Sequence, residues 1–168
     1  LVLGAAGGVG TSAIQVAKAA GAKVIAGVSS DEKAAFCKSL GADETLNYSV
    51  EDVRERLFPL AEPVFRSIAW RGRYLVIGFA GGTIPTLAWN LALLKGASVV
   101  GVFWGDFVRR EPKAFEQALG QLVSWYQEGL IKPAIDRILP MSELPQAYAL
   151  MASRAVKGKL VMSHAAKA

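Results

Sequence analysis

The chain opens on a short apolar run, Leu1-Val2-Leu3, that turns through Gly4-Ala5-Ala6-Gly7-Gly8-Val9-Gly10 straight into a helical pattern. Few arrangements constrain a fold as tightly. A strand that turns through glycines into a helix aims free backbone N–H groups and the positive end of the helix dipole at one point, and such a point binds phosphate. Gly7, Gly8 and Gly10 let the backbone approach a pyrophosphate and let the helix pack closely on the sheet. The spelling is G-x-x-G-x-x-G rather than G-x-G-x-x-G. Spacing alone therefore leaves two readings open, a dinucleotide site and a tight turn without a ligand.

Beyond the turn, short β-branched runs alternate with helical patterns, the mark of βαβ units on a parallel sheet. Ala13, Ile14, Ala17 and Ala20 recur at helical spacing, with Gly21 placed for a left-handed cap. A strand over 23–28 follows, then a helix opened by a capping box of Ser29 and Glu32 and closed at Leu40-Gly41. A strand over 45–48 leads to Ser49 and Asp52, which open a helix carrying Val50, Val53 and Leu57 and ending at Pro59. Pro63 then begins another helical pattern through Phe65, Ile68 and Trp70, with no strand in between. The rhythm resumes with a strand over 73–79, a loop at Gly81-Gly82, a short helix over 87–94 and a strand from Ser98 to Phe103. Pro112 starts the longest helix, whose stripe of Phe115, Ala118, Leu119, Leu122, Val123 and Tyr126 is expected to be core, with Gly129 as its stop. Strands over 135–139 and 159–162 flank a helix capped by Ser142, and the tail from Ser163 is expected to fray.

With 168 residues, 52% of them hydrophobic, the chain suits one domain with one core. Its 19 basic and 14 acidic side chains give a formal charge of +5 without a run of like charges. Scattered charge of this sign suits a small anionic ligand and not a nucleic-acid footprint. The lone Cys37 rules out an internal disulfide and reads as helix core, while His164 reads as tail. The apolar stretches are too short to cross a bilayer, so a cytoplasmic setting is expected. A strand that starts at Leu1 is short for its class, which points to a piece of a longer protein.

Two rival motifs fail on inspection. A P-loop needs Gly-Lys followed by Ser or Thr, whereas Gly158-Lys159 precedes Leu160. A Tyr-x-x-x-Lys pattern is missing too, since four residues after Tyr48, Tyr74, Tyr126 and Tyr148 stand Asp52, Gly78, Leu130 and Ala152. An NAD site places a carboxylate at the end of the second strand to accept from the ribose 2′-OH. Here Val28 is followed by Ser29-Ser30. Asp31 lies close, either in that role or as a first-turn residue complementing the helix dipole. A 2′-phosphate fits beside Ser29, with Lys33 to pair it.

At these residues the sequence resembles the quinone-oxidoreductase branch of the medium-chain dehydrogenase superfamily. The matching motifs are Ala5-Ala6-Gly7-Gly8-Val9-Gly10, Ser29 with Lys33, Leu40-Gly41-Ala42, Asn47-Tyr48, Arg71-Gly72-Arg73, the run from Val76 to Gly82, Leu94-Lys95-Gly96, the run from Val99 to Gly105, and Gly158-Lys159-Leu160-Val161. The resemblance implies a Rossmann-type doubly wound parallel sheet that binds NADPH. It implies Ala6, Gly7, Gly8, Val9 and Gly10 at the pyrophosphate and Ser29, Lys33 and Tyr48 at the 2′-phosphate. By the same likeness Phe79, Ala80, Phe103 and Trp104 lie against the nicotinamide, and Arg154 or Lys159 reaches cofactor or substrate. A homodimer through the strand from Ser98 to Phe103 is also implied. Zinc-dependent relatives carry cysteine and histidine ligands, and with only Cys37 and His164 no metal site is expected.

Two departures from the family accompany the likeness. Its members open with a GroES-like domain that is not in this sequence. Between Phe58 and Phe65 they also carry a central strand and its flanks, roughly twenty residues by ordinary element lengths. The expected chemistry is hydride transfer from NADPH to a quinone or an α,β-unsaturated carbonyl, with no catalytic residue identified and the fragment alone inactive. The alternatives are an enoyl-reductase module of a fatty-acid or polyketide synthase and a non-catalytic nucleotide-binding module.

Overall fold

The computed structural model describes residues 1–49, 61–79 and 84–164. In chain order its elements are β1 (Val2–Leu3), α1 (Gly8–Ala19), β2 (Ile25–Val28), α2 (Asp31–Ser39), β3 (Glu44–Asn47), α3 (Ala61–Arg66), β4 (Arg73–Val76), α4 (Asn90–Lys95), β5 (Ser98–Gly101), α5 (Trp104–Arg110), α6 (Pro112–Gln127), β6 (Ile135–Pro140), α7 (Leu144–Ala152) and β7 (Lys159–Ser163). Every strand pairing among the described residues is parallel, as strand–helix–strand units require. The fold is α/β and Rossmann-type. It divides into two compact units, Leu1–Ser49 with Gly120–Ala168 and Val50–Leu119.

In the first unit β1, β2 and β3 pair in that order, with Val2 opposite Ala26 and Val28 opposite Asn47. Strand β2 is apolar on both faces because both are covered. Ile14 of α1, Val24, Ala26 and Val28 around β2, and Cys37 of α2 are fully or almost fully buried, with Ala17, Phe36 and Leu40 packed around them. Burial pushes the Cys37 thiol pKa up. Asp43 ties the ends together, accepting from Lys18 Nζ at 2.8 Å and from the Val24 amide at 2.7 Å. Strands β6 and β7 form a separate ladder, and Gly7 bridges Gly158 at its head.

In the second unit β4 pairs with β5, Arg73 opposite Ser98 through Val76 opposite Gly101. Phe65 of α3 is fully buried with its ring 5.7 Å from that of Tyr74, whose hydroxyl pKa is raised by burial. Helix α4 ends on Gly96 in the left-handed region, and the Trp70 ring lies over that glycine.

The described residues form three parallel ladders, β1–β2–β3, β4–β5 and β6–β7, in keeping with the expected parallel sheet that lacks a central strand. Several expectations need correction. The expected helix at Val50, Val53 and Leu57, the loop at Gly81-Gly82 and the tail over 165–168 lie outside the described residues. Helix α3 stops at Arg66, short of Ile68 and Trp70, where Ile68 N donates to Phe65 O and tightens the last turn. Ser30, not Ser29, caps α2, its hydroxyl accepting from the Lys33 amide at 3.3 Å. Ser142 caps nothing, since a short 3₁₀ turn at Met141–Glu143 precedes α7 and Pro145 occupies its first turn. The α6 stripe is not core: Leu119, Val123 and Tyr126 are exposed and Phe115 and Leu122 only half-buried. Periodicity identifies an apolar face, but burial also requires a layer to cover it. Among the described residues no helix is long and apolar enough to cross a membrane.

Candidate functional site

The turn between β1 and α1 is built as its glycines require. Gly4 takes φ +60°, and its carbonyl accepts from Gly7 N at 3.0 Å. Gly7 is the helix N-cap in an extended conformation, and its carbonyl accepts the first intrahelical bond, from Thr11 N at 2.9 Å. The amides of Gly8, Val9 and Gly10 thus lie ahead of the helical ladder. Gly7 and Val9 are exposed above buried Ala5 and Ala6, so the first turn faces outward from a firm base. Gly10 serves packing, because a Cβ there would fall 2.6 Å from the Ala5 Cα.

The head of β7 seals the turn from the other side. Gly158 N donates to Ala6 O at 2.8 Å, and its φ of +86° together with the Ala134 carbonyl leaves no room for a Cβ. Lys159 Nζ donates to Gly8 O at 2.9 Å, which sets a cation beside the helix N-terminus. With no acidic residue in the first turn of α1, both charge and dipole favour an anion.

A second group gathers at the ends of β2 and β3. Lys33 Nζ donates to Ser29 Oγ at 3.3 Å and to the Arg154 carbonyl at 3.1 Å. Arg154 itself sits at φ +57°, an uncommon conformation for a residue with a side chain. Tyr48 N donates to Val28 O at 3.0 Å and so extends the β2–β3 ladder by one step, and the tyrosine is half-buried. Asn47 Nδ2 donates to Asp31 Oδ1 at 2.7 Å, and Glu32 pairs with Lys157 at 2.6 Å. The lysine holds the Glu32 carboxyl pKa below its usual value, chiefly by that hydrogen bond. Because β1, β2 and β3 run parallel, the glycine turn, Ser29 and Tyr48 all stand at the carboxyl edge of one sheet, where ligands of open α/β sheets bind.

The first unit therefore brings together Ala6, Gly7, Gly8, Val9 and Gly10 in the turn, and Ser29, Lys33 and Tyr48 beside it along the same edge. Phe79, Phe103 and Trp104 belong to the second unit, and Ala80 lies outside the described residues. Phe79 and Phe103 are exposed. Trp104 begins α5 rather than lying in a loop, held by ring contacts at 5.8 Å to Phe107 and 5.5 Å to Phe115. A cavity of about 300 Å³ opens there, lined by Val102, Phe103, Phe107 and Arg110 among others.

Sequence reading missed three contributors. Gly158 appears as a motif letter, without its bond to the opposite side of the turn. Gln15, buried on α1, accepts from Lys132 N at 2.5 Å, and a polar residue on an apolar helix face is the signal that finds it. Asn47 appears only as the neighbour of Tyr48. No group of three or more His, Cys, Asp or Glu among the described residues could hold a metal ion.

Comparison with known proteins follows the same outline. Residues 8–64 and residues 40–162 each match a family described as zinc-binding dehydrogenase. Quinone oxidoreductase-like protein 2 of Bos taurus is 34% identical over 181 residues, covering 97% of this chain and 52% of that protein. A probable oxidoreductase from Mycobacterium abscessus is similar in structure, with a TM-score of 0.76 at 35% identity over 96% of this chain and 52% of its own. The quinone oxidoreductase of Thermus thermophilus, solved also in complex with NADPH, gives a TM-score of 0.80 at 29% identity over 96% of this chain and 56% of its own. The chain spans about half the length of the relatives it matches.

Proposed function

Since the chain belongs to the zinc-binding dehydrogenase family, as a cofactor-binding domain of the medium-chain dehydrogenase superfamily, we propose that it binds NADPH and serves hydride transfer to a quinone or an α,β-unsaturated carbonyl. One observation carries the choice of cofactor: Lys33 Nζ is held beside Ser29 Oγ, at the sheet edge that also bears the glycine turn. A relative solved with NADPH supports the same choice.

The residues present fit such a group. Amides of Gly8, Val9 and Gly10 would hold the diphosphate, with Ala6 and Gly7 forming the base of the turn and Lys159 adding charge. Ser29, Lys33 and Tyr48 would hold the 2′-phosphate, and Arg154, whose carbonyl already steadies Lys33, stands beside them. Phe79, Ala80, Phe103 and Trp104 are assigned to the nicotinamide. A bound nicotinamide supplies the hydride. The chain's own residues bind and orient, and no side chain is assigned a proton-transfer or nucleophilic role. The metal in the family's description finds no ligand set among the described residues: Cys37 is buried, with its thiol pKa raised by that burial, and His164 is exposed at their end.

The aligned stretch of 181 residues exceeds the 168 of this chain, which supports the reading that relatives carry residues this chain lacks; the break in strand–helix alternation points to the interval between Phe58 and Phe65. A homodimer through the strand from Ser98 to Phe103 belongs to the same reading, supported by the exposure of Val99, Val100, Val102 and Phe103. So does a cytoplasmic setting.

Lys33→Ala tests the cofactor choice. Removing one charge-assisted contact costs about 1.5–3 kcal/mol, so NADPH should bind roughly ten- to a hundredfold more weakly by calorimetry and NADH hardly at all more weakly. Equal losses for the two cofactors would overturn the role of Lys33.

A further inference from the structure

We infer that Asn47 acts as a latch on Asp31 and thereby sets which nicotinamide cofactor the chain prefers, an inference that rests on the cofactor reading above. Asp31 is the first residue of α2, three positions past the end of β2, where a carboxylate can accept from a ribose 2′-OH and repel a 2′-phosphate. Its Oδ1 is instead drawn across to β3 by Asn47 Nδ2 at 2.7 Å. Asn47 is fixed in turn, because it pairs with Val28 in the ladder and its Oδ1 accepts from Ser49 N at 3.1 Å. The Asn47 side-chain amide does both jobs, donating to the carboxylate while accepting from a backbone N–H. The bond to Asp31 is charge-assisted and joins α2 to β3.

The neighbouring carboxylate, Glu32, pairs with Lys157 at 2.6 Å. Both acidic residues in the first turn of α2 are thus engaged, and the end of β2 is left to Ser29 and Lys33. The sequence alone leaves Asp31 with two roles; the hydrogen bonds assign it to neither ribose nor helix dipole alone but to a pair with Asn47. Asn47 is a positioning residue, acting through Asp31 and through the strand end that carries Tyr48.

The test measures NADPH and NADH affinities by calorimetry on the full chain and compares their ratio. Asn47→Ala releases Asp31, and the preference for NADPH should fall roughly tenfold, with NADH unchanged or tighter. The exchange Asp31→Asn with Asn47→Asp keeps the hydrogen bond while moving the carboxylate onto β3, and the ratio should stay within about threefold of the parent. Equal weakening of both cofactors in Asn47→Ala, as a purely structural role predicts, overturns the latch. If Asn47→Ala does not fold, Asn47→Ser decides: a hydroxyl too short to reach Asp31 should lower the preference for NADPH in the same way, and an unchanged ratio there overturns the latch. A parent chain that binds neither cofactor sinks the cofactor reading and the latch together, whereas a parent that prefers NADPH with an unchanged ratio in Asn47→Ala sinks the latch alone.

Discussion

The ladder β1–β2–β3 and the ladder β4–β5 are made of the same short, β-branched, parallel segments, yet one is buried and the other is not. Ala26 and Val28 of β2 have almost no exposed surface, whereas Leu75 of β4 and Val99 and Val100 of β5 are between about a third and a half exposed. The difference lies in the layers. Helices α1 and α2 cover β2, with Ile14 and Cys37 pressed against it, and each polar end is fastened, as Asp43 is by Lys18 and Val24. On β4 the Phe65 ring packs near that of Tyr74, but Arg73 and Leu75 remain exposed. An apolar strand is an offer of burial, and a neighbouring element must accept it.

Truncation should separate the two regions most strongly. Ile14→Ala should cost about 2–5 kcal/mol in denaturant unfolding, from lost burial plus the cavity left behind. Val100→Ala, on the exposed ladder, should cost under about 1 kcal/mol. Similar losses would mean that β5 is covered as closely as β2. A Val100→Ala loss that grows with protein concentration would identify the cover as a second copy of the chain.

Next in size is the seam at the glycine turn. Gly158→Ala should cost about 2–3 kcal/mol, because φ +86° strains any side chain and the Ala134 carbonyl blocks the Cβ. Gly21→Ala shares the positive φ, +79°, but meets open space, so about 1 kcal/mol is expected. Equal thermal shifts for the two would show that the seam with β7 does not hold the turn.

The smallest effect concerns the fastening of β2. Hydrogen bonds from Lys18 and then from the Val24 amide hold the Asp43 carboxyl pKa below its usual value. A depressed folded pKa means stability that is complete above the unfolded value of about 3.9 and is lost as pH falls through the folded one. The Tm gap between the parent and Asp43→Asn should therefore be constant from neutral pH down to about pH 4.5 and close below about pH 4. A gap that stays constant however far the pH is lowered would contradict the assignment.

Local rules read the first unit well. The β1–turn–α1 order, the left-handed Gly21 and the buried Cys37 all follow from spacing and residue type. What escapes them is set by distant partners or by competing neighbours. Ser29 and Ser30 offer the same hydroxyl one residue apart, and the choice of Ser30 as cap leaves Ser29 for Lys33 Nζ. Gly158 meets Ala6, and Lys159 meets Gly8, across some 150 residues of chain. Helix α5 is hidden by Gly105 at its second position, a poor helix former that the aromatic contacts of Trp104 outweigh. The exposed face of α6 reads correctly as apolar and wrongly as buried.

Binding at the carboxyl edge of β1–β2–β3 can be tested residue by residue, by titrating the isotope-labelled chain with NADPH and following backbone amide shifts. The largest shifts are expected at Gly7, Gly8, Val9 and Gly10 and at Ser29, Lys33 and Tyr48, with NADH moving the first group and sparing the second. Shifts clustered elsewhere, or none with either cofactor, would contradict the assignment of this edge as the cofactor site.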